Sequence, residues 1–203
     1  MTSMTTIATN LLFPAPSADG GCQIAIQFQW REDRFVQEVG YVVASEFFPV
    51  MSSVDGDSAS AWPPSPPLQN LHEQTVNGRQ VLMGLGAAGT THWSATFEAS
   101  DNQIVCHFAA RVQNKAEFLG STFQRHSLAE ENKVVDELPL IELVAIDGSE
   151  STAPTNLKNS PIVVLPPPRF SAARQTVQWK FAFRLAVNSS IAEAKSQPAA
   201  RKL

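Results

Sequence analysis

Residues 175–187 read QTVQWKFAFRLAV, and Val177, Trp179, Phe181, Phe183, Leu185 and Val187 occupy every second position. Side chains alternate faces in a strand, whereas a helix returns to the same face only after 3.6 residues. A period this regular over so many positions therefore admits a strand and excludes a helix. Gln178, Lys180 and Arg184 fall on the opposite face. The strand is thus expected to bury one face and turn the other to solvent.

Two further stretches carry the same period and fold on themselves. In 22–30, CQIAIQFQW, the residues Ile24, Ile26, Phe28 and Trp30 alternate with Gln23, Gln27 and Gln29. Folding about Glu32-Asp33 sets Trp30 opposite Phe35, Ile26 opposite Val39 and Ile24 opposite Tyr41, and such apolar pairing is what selects a register. In 91–112, folding about Asp101-Asn102 sets Phe97 opposite Cys106, Ala95 opposite Phe108 and Trp93 opposite Ala110. One face of that hairpin is apolar throughout. The other carries His92, Ser94, Thr96, Glu98, His107 and Arg111.

The remaining segments are shorter. Asn77-Gly78 predicts a hairpin turn, because both residues tolerate positive φ; the competing reading is a helix from Pro67 capped by the same pair. STFQ (121–124), LPLIELVAI (138–146) and PIVVLPP (161–167) read as strands, and Ser127-x-x-Glu130 as the capping box of a short helix. Residues 44–67, rich in Ser, Pro and Asp, show no period and read as a long surface loop. Residues 1–20 and 189–203 read as disordered ends of a single domain spanning 21–188. The expected fold is all-β: an antiparallel β-sandwich or open barrel of about seven to nine strands, with at most one or two short helices.

Composition narrows the functional classes. A formal net charge of −4 lacks the basic footprint of a nucleic-acid binder. No apolar run approaches a membrane span, and the first residues, without Lys or Arg, make a poor secretory signal; a cytoplasmic location is the default expectation. Cys22 and Cys106 have no Cys-x-x-Cys spacing, so no zinc or redox motif is built from cysteine alone, and two buried thiols are expected. Neither a cofactor nor a metal is implied.

Gly84, Gly86 and Gly89 match G-x-G-x-x-G, the fingerprint of a dinucleotide-binding turn. That fingerprint requires a helix after the third glycine, whose amides hold the phosphate. Here Gly89 is followed by the period-two run of the 91–112 hairpin. The glycines are expected to serve a strand connection, not a nucleotide.

Four residues remain as site candidates. Glu98 lies diagonally across from His107, at a Cα separation of about 7–8 Å. A carboxylate so placed can orient an imidazole for acid–base work. His92 stands about 13 Å further along and cannot share a metal with His107. Ser94 also stands where a cupin-type metal motif would need its second His. His72 is the candidate third member of a His107–Glu98 hydrolase or metal-dependent site. Trp62, set among serines and prolines, is a candidate binding anchor if exposed, or a lid on the sandwich if folded back. The first expectation for function is a non-enzymatic module that recognises a protein or carbohydrate partner through its loops. The alternatives are the His107/Glu98 enzyme and a structural subunit that pairs edge strands with its own copies.

Overall fold

The computed structural model describes residues 10–17, 21–126, 138–152, 160–168 and 174–186. They form thirteen strands in two antiparallel sheets packed face to face, a β-sandwich. The first sheet holds β1 (Asn10–Pro14), β2 (Gln23–Arg31), β3 (Arg34–Val43), β4 (Glu46–Ser53), β9 (Ser121–Arg125), β12 (Ile162–Leu165) and β11 (Glu150–Ser151), side by side in that order. The second holds β10 (Ile141–Ile146), β13 (Gln175–Leu185), β8 (Gln103–Val112), β7 (Thr91–Ser100), β6 (Arg79–Ala88) and β5 (Asn70–Val76). Among the described residues no helix occurs, hence none long and apolar enough to cross a membrane. The capping box at Ser127 and the C-terminal segment from 189 lie outside the described residues.

Both long hairpins take the expected register. Trp30 pairs with Phe35 and Ile24 with Tyr41, while Phe97 pairs with Cys106 and Trp93 with Ala110. Asn77-Gly78 makes a turn with both φ values positive (50° and 79°), so residues 70–76 are strand and the helix reading from Pro67 falls. The alternating aromatics meet between the sheets. Phe28 of β2 sits edge-on to Phe97 of β7 at 5.0 Å, and Phe123 of β9 sits edge-on to Phe183 of β13 at 5.1 Å. Within the second sheet Phe108 stacks on both Trp179 and Phe181. Such ring pairs add to the area they bury and fix how the layers interdigitate. The Trp179 indole N–H donates to Ser121 Oγ at 3.0 Å, tying β13 to β9 across the core.

Three strands were not expected. β1 places residues 10–14 in the sheet rather than in a disordered end. β11 is only two residues long. β4 lies within the stretch read as loop, for two local reasons. Its turn uses Ala44 and Ser45, both at positive φ, in place of the Asn-Gly that signals a hairpin. Its proline, Pro49, sits where the β3–β4 register slips by a residue, and such an irregularity accommodates the missing N–H. Gly40 is required opposite, because the Phe48 carbonyl occupies the space a Cβ would take.

The rest of the stretch, 54–69, crosses from the first sheet to the second, and its second half is buried. Pro63, Ser65, Pro66, Pro67 and Leu68 are all buried, so PPSPP is packing material of the sandwich. The Ser65 hydroxyl donates to the Thr122 carbonyl at 2.9 Å and accepts the Thr122 N–H at 3.1 Å. Phe35 N–H donates to the Leu68 carbonyl, and Gln69 N–H to that of Leu85. This strap explains the glycine motif. Gly89 turns the chain at a φ of 56°, whereas Gly84 and Gly86 lie inside β6 under the strap. The Pro67 carbonyl stands where a Cβ of Gly86 would be. No helix follows Gly89, as the period-two run implies.

Candidate functional site

The outer face of the second sheet is built from alternate residues of six strands. Because the registers are continuous, His72, Met83, Thr96, His107, Lys180 and Ile146 form one row across it, Cα partner to Cα partner. His107 is exposed there between Thr96 and Lys180, while its chain neighbours Cys106 and Phe108 are buried. Glu98, also exposed, pairs with Val105 and lies on the diagonal from His107. Among the described residues no hydrogen bond or ion pair joins the two. His72 is three strands away in the same row, about 14 Å at ordinary strand spacing, too far to act on the same atom. Among the described residues no three His, Cys, Asp or Glu side chains converge in a way that could hold a metal ion.

What His107 does adjoin is a depression of about 330 Å³, lined also by Asp147, Ser149, Pro167, Gln178, Trp179 and Lys180. The β10–β11 turn overhangs it, with Asp147 and Gly148 both at positive φ (55° and 80°). Two bonds hold the turn against the sheet. Lys180 N–H donates to Ser149 Oγ at 2.9 Å, and Lys180 Nζ donates to Asp147 Oδ2 at 3.3 Å. The result is a wall of one carboxylate and one hydroxyl above a floor of imidazole, amide and ammonium groups. Donors and acceptors alternate within it, and Pro167 supplies an apolar side.

Trp62 lies elsewhere. It is half-buried, belongs to the strap, packs on the core, and is not among the residues lining that depression. Of the two positions foreseen for it, the folded-back one holds. Both cysteines are free thiols; Cys106 is buried and Cys22 half-buried, and burial raises the pKa of each.

A second polar cluster stands at the β2–β3 turn. Arg34 is only 4% exposed and makes a two-pronged ion pair with Asp33, Nε to Oδ1 at 2.7 Å and Nη2 to Oδ2 at 2.9 Å. That pair lowers the Asp33 pKa and raises that of Arg34. Arg34 Nη1 also donates to the Asp55 backbone carbonyl at 3.1 Å, pinning the start of the strap. The Asp55 carboxyl is pushed up to about 6 by burial, although the Ser53 hydroxyl that donates to it and the nearby Arg34 pull the other way. This cluster joins strap to sheet, and its groups bond mainly one another.

Sequence reasoning located His107 and its outward face but missed Gln178, Lys180, Asp147 and Ser149 as its company. Residues 107 and 180, paired in the sheet, lie far apart along the chain. The Asp147-Gly148 dipeptide, a turn signal, was the one local trace of the overhanging turn. Comparison of the chain with protein-family models, with curated protein sequences and with solved structures finds no match.

Proposed function

We propose that this protein is a non-enzymatic binding module and that its recognition surface is the depression at His107, Asp147, Ser149, Gln178 and Lys180. The ligand class that fits it best is a carbohydrate. The observation that carries this reading is the juxtaposition of an overhanging turn with polar side chains of the sheet beneath it. A sugar hydroxyl both donates and accepts. Gln178 and Ser149 can do both as well, Asp147 accepts, and Lys180 donates. The separation of His72 from His107, and the missing Glu98–His107 bond, support binding over acid–base chemistry at this face.

The test is a titration of the isotope-labelled full chain with neutral oligosaccharides of glucose, mannose, galactose and xylose, followed by amide NMR shifts. Shifts confined to 107, 147–149 and 178–180, and weakened by Asp147→Ala and by Gln178→Ala, are expected. Binding indifferent to both substitutions sinks the proposal. So does hydrolysis of any of these sugars that His107→Ala abolishes. Shifts at these residues on adding a protein ligand, with none from any sugar, would move the reading to a protein partner.

A further inference from the structure

A sheet that ends in an open edge presents a row of unpaired N–H and C=O groups, and proteins blunt such edges with Lys, Pro, bulges or short strands. Two edges of this sandwich lie on one flank. β5 ends the second sheet and β1 the first, and Phe13 of β1 shares a cleft with Glu73, Gln74 and Thr75 of β5. β1 is five residues long and ends in a proline. On the far flank the first sheet ends in the two-residue β11.

β5 has none of these four devices; its one charged side chain, Glu73, stands on the core-side face opposite the buried Leu82. The strand runs seven residues, NLHEQTV, without Lys or Pro and without a slip in its register to β6. All of it except Leu71 is exposed. Among the described residues no strand pairs with its outer edge. Of the four large hydrophobic side chains exposed among the described residues, Val76 belongs to β5 itself. An edge of seven residues without Lys, Pro or a register slip and an exposed apolar side chain on it coincide at β5.

We propose that β5 is a self-association edge, and that a second copy of this chain adds its own β5 antiparallel to it, continuing the sheet across a two-fold axis. Self-complementarity favours a second copy over a foreign strand. An axis perpendicular to the sheet keeps every residue on its own face, so the pairing must centre on a residue. Centring on Glu73 sets two carboxylates opposite each other, and centring on His72 sets Leu71 opposite a carboxylate. Centring on Gln74 sets amide against amide, Glu73 opposite Thr75, and His72 opposite the exposed Val76. That register alone among the three avoids both conflicts, and cross-strand pairs of this kind decide registers. The closed contact leaves the depression at His107, three strands away, free for its ligand.

Sedimentation of the full chain over the micromolar to submillimolar range tests this. A dimer is expected. Gln74→Lys, which sets two ammonium groups opposite each other across the axis, is expected to sediment as a monomer and to melt with the parent at concentrations where the parent is itself monomeric. Ser94→Lys, on the outer face of β7, is expected to remain dimeric. In a Cys22→Ser background, Gln74→Cys is expected to form a disulfide-linked dimer under mild oxidation, and Ser94→Cys is not. A parent chain that stays monomeric throughout the range overturns the proposal. A dimer untouched by Gln74→Lys, or cross-linking no greater for Gln74→Cys than for Ser94→Cys, also overturns it. Sugar titration reads none of these outcomes, so the binding proposal and this one fail separately.

Discussion

A methyl group at Gly86 would coincide with the Pro67 carbonyl, whereas one at Gly84 would meet the tip of Leu68, Cδ1 at 2.9 Å. Backbone pinned by hydrogen bonds yields less readily than the end of a leucine. Gly86→Ala is therefore expected to lower stability by about 1–3 kcal/mol or more, as overpacking does, and Gly84→Ala by less. Urea denaturation midpoints check the order, and equal losses would refute the assignment of Gly86 to the strap. Asp55 makes a pH prediction of definite sign. Its folded pKa, about 6, lies above its ordinary value of 3.8. The stability it contributes is thus fully present below 3.8 and is lost as pH rises through 6. Asp33 is shifted the other way, and its contribution is lost as pH falls. Asp55→Asn is expected to flatten the stability profile between pH 4 and 6 specifically, which thermal melts across that range will read.

At the scale of the element, the 54–69 strap depends on few bonds, and Ser65 makes two of them to the same residue. Ser65→Ala leaves the Thr122 N–H in the interior without its acceptor, a loss of about 1–3 kcal/mol. Ser65→Thr retains the hydroxyl and should keep more of the stability if its methyl is accommodated. An unchanged melting temperature for Ser65→Ala would mean that the strap is held by its backbone bonds and by the apolar packing of Pro66, Pro67 and Leu68. The strap also shows why this stretch was illegible. Serine, proline and aspartate describe a solvated loop when read one after another. Here Pro67 lies against Gly86, far along the chain in another strand, and no local pattern encodes that. β4 was hidden similarly, by an Ala44-Ser45 turn and a proline at a bulge, whereas the Asn77-Gly78 hairpin announced itself.

For the whole molecule, the two faces of the second sheet divide the labour. Its inner face, from Phe97, Phe108, Trp179 and Phe181, closes the core; its outer face carries the proposed sugar site, and its β5 edge the proposed two-fold contact. Lys180 and Arg184 take no part in an edge, because β13 lies inside the sheet between β10 and β8. Their partners are instead Asp147 and Glu142, on β10 and the turn that follows it. Trp62, part of the strap, packs against the core.

Period-two alternation determined the strands, the inward faces and the registers of both long hairpins, because a strand's side chains alternate whatever surrounds them and a short turn forces adjacent strands to pair. It also placed His107 on the solvent side and ruled against a phosphate loop at Gly84–Gly89. The tertiary structure decided which strands from distant parts of the chain became neighbours. It alone set His107 beside Lys180, hung the Asp147–Ser149 turn over them, buried PPSPP and left β5 at an edge. Those outcomes arise from the packing of two whole sheets, where each contact joins residues whose separation along the chain leaves no local signal.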